Sequence, residues 1–79
     1  MPTVPGVPGP YRFFFFSFDC DEPPHIHVRR DVWECKFWLQ PVVLARRGRF
    51  PAHEIAVIER IILRYLPLFL EAWDDHCGS

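Results

Sequence analysis

The stretch His25-Ile26-His27-Val28-Arg29-Arg30-Asp31-Val32-Trp33-Glu34-Cys35-Lys36-Phe37-Trp38-Leu39 decides the fold. In extended backbone, alternate side chains point to opposite sides. Ile26 and Val28 share one parity, and Trp33, Cys35, Phe37 and Leu39 share another. Folding the stretch back on itself around Asp31 therefore gives a hairpin with one apolar face, if the register pairs these sets. The opposite face is polar, with His25, His27 and Arg29 from the first strand and Glu34, Lys36 and Trp38 from the second. The tight turn lacks a glycine, so its type is left open.

Working outward, Tyr11 to Phe18 is aromatic almost throughout, which suits a strand with Tyr11, Phe13 and Phe15 on one side and Arg12, Phe14 and Phe16 on the other. Asp19-Cys20-Asp21-Glu22-Pro23-Pro24 reads as the turn that follows, because acidic residues and a Pro-Pro pair do not continue a central strand. Residues 1–10 hold four prolines and two glycines and form a lead-in, with a short strand at Thr3-Val4. Residues 41–50 contain Pro41, Gly48 and the cluster Arg46, Arg47 and Arg49, and are expected to be a basic loop with a helical turn at Val42 to Ala45.

Pro51 suits the first turn of a helix. From Ala52 to Leu66 the apolar residues Ile55, Ile58, Ile61, Ile62 and Leu66 recur at helical spacing and make a stripe that should pack on the sheet. His53, Arg60 and Arg64 fall within about 40° of one another on the far side and should face solvent. Pro67 breaks this helix and starts a second one running to about Asp75, with Leu70 and Trp73 as its apolar pair. The expected fold is α+β: a small antiparallel sheet of three or four strands packed against two C-terminal helices. One domain spans residues 1–79, divided into the lead-in 1–10, the sheet 11–40, the basic loop 41–50 and the helical part 51–76. Trp33, Phe37, Ile58, Ile62 and Trp73 are the expected core.

A chain of 79 residues fits one hydrophobic core, and its apolar share of 49% and aromatic share of 16% argue against disorder. The longest apolar runs, Phe13 to Phe16 and Ile61 to Leu63, fall far short of the roughly 20 residues that span a bilayer. The N-terminus has neither the basic patch nor the apolar stretch of a secretory signal, so a cytoplasmic protein is expected. Cys20, Cys35 and Cys77 are odd in number and contain no Cys-x-x-Cys pair, which predicts reduced thiols rather than a disulfide framework or a cysteine zinc site. The net charge of −1 conceals a basic middle, since residues 29–50 hold six cations against two carboxylates. Such a middle suits phosphate or an acidic partner, without a general nucleic-acid signature.

Several of these segments, laid out in order, carry a family resemblance: Met1-Pro2-Thr3, Tyr11-Arg12-Phe13-Phe14-Phe15, Glu22-Pro23-Pro24-His25-Ile26-His27-Val28, Lys36-Phe37-Trp38-Leu39 and Ala72-Trp73. The chain resembles domain-of-unknown-function family 4160 from residue 1 to about 76. The resemblance implies a short bacterial or phage-borne protein, often encoded beside another small domain of unknown function and sometimes labelled a toxin–antitoxin component. It therefore implies a cognate small protein encoded nearby as partner. Two positions depart from the family pattern. Phe18 stands where a polar Asn usually precedes Asp19, and Pro51 stands where a Ser or Thr cap is usual, leaving Phe50 as a poor N-cap.

Three readings of the polar face follow. As metal ligands, His25 and His27 would converge on a divalent ion with partners from the acidic turn, Asp19, Asp21, Glu22 or Cys20. As acid and base they would cleave RNA without metal, with Arg29 and Lys36 stabilising the charged transition state and no cofactor. As a binding or structural surface, the histidines satisfy neighbours in a semi-buried sheet face, and Glu34 and Lys36 form a cross-strand pair. Trp38 could stack a base or fill space, and Arg46, Arg47 and Arg49 could clamp a phosphate or a partner's carboxylates, or simply face water.

Overall fold

The computed structural model describes residues 3–78. The Met1-Pro2 part of the family-like N-terminus lies outside the described residues. Strands β1 (Arg12–Phe14), β2 (His25–Arg30), β3 (Trp33–Leu39) and β4 (Val42–Arg46) form one antiparallel sheet in the order β1-β2-β3-β4. Helices α1 (Ala52–Arg64) and α2 (Leu66–Cys77) follow. The fold is the expected α+β arrangement, with four strands.

The hairpin register is the one that joins the two apolar sets: Ile26 faces Phe37 and Val28 faces Cys35. On the other side of the sheet His25 faces Trp38, His27 faces Lys36 and Arg29 faces Glu34. Asp31 makes the turn without a glycine by taking a left-handed conformation, φ 56°, which Asp tolerates better than most residues. Strand β1 continues the alternation, with Phe13 opposite Val28 and Phe14 opposite His27. It is much shorter than the aromatic run, because the chain leaves the sheet after Phe14. At the lead-in, Thr3 bridges to Phe14 and the Val4 N–H donates to the Phe13 carbonyl at 2.8 Å, a trace of the short strand expected there.

Residues 42–46 correct the expectation of a helical turn and loop. Val42 and Val43 are β-branched, and β3 offers a free edge, so the segment pairs with β3 as a strand. The ladder shifts register between Lys36 and Phe37, where Ala45 is the extra residue on β4. The Gln40–Pro41 peptide preceding it is cis. Beyond β4, Gly48 adopts φ +63°, and a Cβ there would lie 2.0 Å from the Glu34 carbonyl oxygen, so only glycine lets this turn rest on β3.

The helices cover the apolar face. Ile58 and Ile62 of α1 and Phe69 and Trp73 of α2 are buried with Phe13, Ile26, Val28, Cys35, Phe37 and Leu39, while Trp33 packs half-buried at the margin. Pro51 caps α1 without a side-chain hydrogen bond, and Phe50 is buried in the core instead of capping. The break falls at Tyr65, and Pro67 occupies the first turn of α2, where its missing N–H costs no hydrogen bond. His53, Arg60 and Arg64 face solvent.

The cysteine expectation is also corrected. Cys20 and Cys77 form a disulfide between residues 57 apart in sequence. This partnership is made by the tertiary fold, which brings the turn after β1 to the end of α2, and no local spacing motif announces it. Cys35 alone is free, and it is buried.

Candidate functional site

The polar side of the sheet is roofed by the turn that follows β1. There a short 3₁₀ segment (Asp19–Asp21) folds back over β2. Its carboxylate Asp19 points inward and is buried. Asp19 Oδ2 accepts the Phe16 N–H at 2.7 Å and the His27 Nε2–H at 3.0 Å. His25 Nε2 lies 3.2 Å from Asp19 Oδ1. Asp19, His25 and His27 thus each present one ligand atom, all within 4.8 Å of one another, in a group that can hold a metal ion.

The turn is anchored to α2 in three ways. His76 Nε2–H donates to the Phe16 carbonyl at 2.9 Å, the His76 ring stacks on Phe15, and Cys20 is bonded to Cys77. On the sheet, β1 ends opposite His27, so His25 has no β1 partner, and the Trp73 ring lies 5.0 Å from the His25 ring between centres. Trp38 completes the enclosure of His25 at 5.7 Å. Phe14 stacks on His27, and the guanidinium groups of Arg12 and Arg29 lie over its ring at 5.2 and 5.3 Å.

The protons on these rings can be placed from their partners. His25 Nδ1 lies 2.9 Å from the Pro23 carbonyl, which can only accept, so Nδ1 carries a proton. Nε2 makes no hydrogen bond, although it lies 3.2 Å from Asp19 Oδ1. Buried polar atoms of this kind are rare. Burial works to raise the Asp19 carboxyl, but the Phe16 N–H and the neighbouring imidazoles together outweigh it and hold Asp19 below its ordinary value. Burial pushes His27 down, and Asp19 only partly restores it.

Beside the triad lies a cleft of about 400 Å³, lined by Asp19 and His27 together with Phe16, Phe18, Lys36 and Arg46, and bordered by Asp21 and Glu22. His27 reaches this cleft. His25 does not line it and is fully buried, so of the two proposed acid–base rings one meets the open space.

The other expected residues take the following places. Arg29 clasps Glu34 Oε1 through Nε and Nη2, at 3.2 and 2.6 Å. Lys36 pairs with Glu22 at 2.6 Å and lies over the Trp38 ring at 4.4 Å. The expected Glu34–Lys36 pair therefore does not form: both residues belong to β3, and each finds its partner on another segment. Glu22 sits 3.6 Å from His25 Nδ1, and Lys36 holds its carboxyl below the ordinary value. Asp21 is exposed and outside the metal-competent group, and Cys20 is committed to its disulfide. Arg46, Arg47 and Arg49 are exposed, Arg46 4.0 Å from Glu34 Oε2. Phe16 and Phe18 were assigned no role by the sequence, although Phe16-Ser17-Phe18 immediately precedes Asp19 and keeps Phe16 on the parity of Phe14, the polar side of the sheet.

Among the described residues, no helix is long and apolar enough to cross a membrane. No curated protein and no solved structure matches the chain significantly. Residues 11–74, running from the first strand of the sheet almost to the end of the last helix and including the whole Asp19/His25/His27 group, match the domain of unknown function DUF4160, and the chain belongs to that family.

Proposed function

We propose that this protein is a divalent-metal-binding domain of the zinc type, with Asp19, His25 and His27 as ligands. The observation that carries the reading is the state of His25. Its Nδ1 proton is committed to Pro23, and its buried Nε2, which has no hydrogen-bond partner, lies 3.2 Å from a carboxylate oxygen, a place that calls for a positive charge. A metal ion supplies that positive charge. It also uses an arrangement common in metal sites, in which the far ring nitrogen of a ligating histidine donates to a carbonyl and fixes the tautomer. Two imidazole nitrogens and one carboxylate oxygen, within 4.8 Å of one another, make a ligand set that zinc accepts once His27 Nε2 releases the proton it donates to Asp19. Three protein ligands leave one position open, the pattern of zinc sites that take up a water or an external ligand.

The test is thermal unfolding of chelator-treated protein with increasing Zn²⁺, read together with the visible absorption of the Co²⁺ form. At 100 times Kd the ion should stabilise the fold by about 2.7 kcal/mol. That corresponds to a rise in Tm of roughly 10–20 °C for a domain of this size. The effect should vanish in the His25→Ala/His27→Ala double variant. An unchanged Tm and a colourless cobalt sample would exclude the site.

A second reading, a partner-binding module of toxin–antitoxin type, draws on a separate observation: Arg46, Arg47 and Arg49 are exposed at and just beyond β4, an edge strand of the sheet. A sheet edge flanked by cations suits an acidic partner segment. Growth arrest on expression, relieved by co-expressing the neighbouring gene product and not relieved when the three arginines are replaced by Ala, would support it. Growth unaffected by expression would count against it.

A further inference from the structure

We infer that the cleft over Asp19 and His27 is a mononucleotide site, with the phosphate on the open metal position and on Lys36 and Arg46, and the base on Phe18. The inference rests on the metal reading above and specifies the ligand.

The open coordination position can only face the cleft, because Asp19 and His27 line it while His25 is sealed behind them. Charge selects the kind of ligand. Without metal, the carboxylates Asp19, Asp21 and Glu22 outnumber Lys36 and Arg46, and the cleft carries a net negative charge. A divalent ion reverses that sign, so the loaded cleft attracts anions and the empty one repels them. Arg46 is the best-placed recognition group. Its nearest carboxylate oxygen, on Glu34, is 4.0 Å away, and Glu34 is already held by Arg29 at 2.6 Å. The Arg46 guanidinium therefore keeps its planar fork of donors for an incoming phosphate. Lys36 gives one of its three protons to Glu22 and has two left.

The aromatic half of the cleft points to a ligand with a flat ring. Phe18 is 72% exposed, which is unusual for a phenylalanine bordered by charged residues, and it contributes nothing to the core. Its inner face stacks on Phe16 at 5.5 Å and 8°, and Phe16 in turn meets His27 edge to face at 4.7 Å. Phe18 is thus a braced platform with its outer face uncovered, one residue from a metal ligand. A nucleobase stacks on such a platform regardless of its identity. The volume of about 400 Å³ falls in the usual range for small-molecule sites, roughly 300–1,000 Å³.

The experiment uses the Co²⁺-loaded full chain, titrated with inorganic phosphate and with AMP and followed through the cobalt absorption band. Both ligands should shift the band, AMP binding about ten-fold more tightly through its base. Phe18→Ala should abolish the advantage of AMP while leaving phosphate affinity intact. Arg46→Ala should weaken both ligands about ten-fold without changing cobalt affinity, and chelator-treated protein should bind neither ligand by calorimetry. If cobalt binds but phosphate and AMP leave its band unchanged, the nucleotide inference fails and the metal reading stands. If cobalt does not bind, both fail. Equal affinity for phosphate and AMP, or an AMP advantage that survives Phe18→Ala, overturns the placement of the base.

Discussion

Replacing Asp19 by Ala should be among the more damaging substitutions on the polar side of the sheet, and its cost can be worked out from the contacts. The carboxylate is the acceptor for two donors, the Phe16 N–H at 2.7 Å and the His27 Nε2–H at 3.0 Å, and its side chain is 6% exposed. A buried donor left without a partner costs about 1–3 kcal/mol, so two cost about 2–6 kcal/mol. One effect pulls the figure down: the cleft beside Asp19 admits water to the vacated position. We therefore expect a loss of about 2–4 kcal/mol in metal-free protein. A domain of 79 residues has about 4–12 kcal/mol in total, so the variant should fold but melt about 10–25 °C lower. Asp19→Asn retains one carbonyl oxygen as acceptor and should lose about half as much. The assay is circular dichroism against temperature, in chelator, for the three proteins side by side. A loss below about 1 kcal/mol for Asp19→Ala would show that the carboxylate does not hold the turn onto β2.

Three further outcomes follow from other parts of the structure. Gly48→Ala places a Cβ 2.0 Å from the Glu34 carbonyl oxygen in a left-handed backbone; it should cost at least about 2 kcal/mol in urea unfolding, and a loss under about 0.5 kcal/mol would contradict the close approach. Burial pushes the Cys35 thiol up to about 12, so native protein at pH 8 should be inert to a thiol reagent, and unfolding without reductant should release one reactive thiol per chain, where three would disprove the Cys20–Cys77 bond. Metal-free stability should fall with acid: His27 is held below the ordinary imidazole value of 6.5, so the unfolded chain takes up protons first as pH drops through that value, and Asp19, held below its ordinary 3.8, removes more when its folded carboxyl protonates at still lower pH. Denaturant midpoints that stay flat between pH 7 and pH 5 would contradict the His27 part, which His27→Gln should abolish.

The hairpin was legible because its information is local. Residues 25–39 carry a period-two pattern whose two halves fit in only one register, so the shared face of His25, His27, Arg29, Glu34, Lys36 and Trp38 could be read from parity. The helix break was equally local, since Pro67 cannot supply the N–H a continuing helix needs. Strand β4 was misread because Val42-Val43-Leu44-Ala45 is continuously apolar, and such a run does not distinguish a strand from a helical turn. What settles it is the free edge of β3, a tertiary fact. The same holds for the site. Asp19 was one of several acidic candidates in its turn, and choosing it over Asp21 and Glu22 requires knowing that the turn folds back over β2, anchored by His76 and Cys77, both more than fifty residues away.

The Cys20–Cys77 bond also determines how the molecule responds to a pull. With residues 20 and 77 joined, a stretching force applied at the two ends passes through the sulfur bridge and bypasses both helices and strands β2, β3 and β4. The chain on the N-terminal side of Cys20 can be drawn out, while residues 20–77 stay closed in the loop. The part that yields contains β1, whose Phe13 sits in the core. The boundary runs directly through the Asp19/His25/His27 group, with the carboxylate on the segment that peels away and both imidazoles on the segment that cannot. An ion held by all three would therefore act as a clasp across the seam between the segment that peels away and the closed loop.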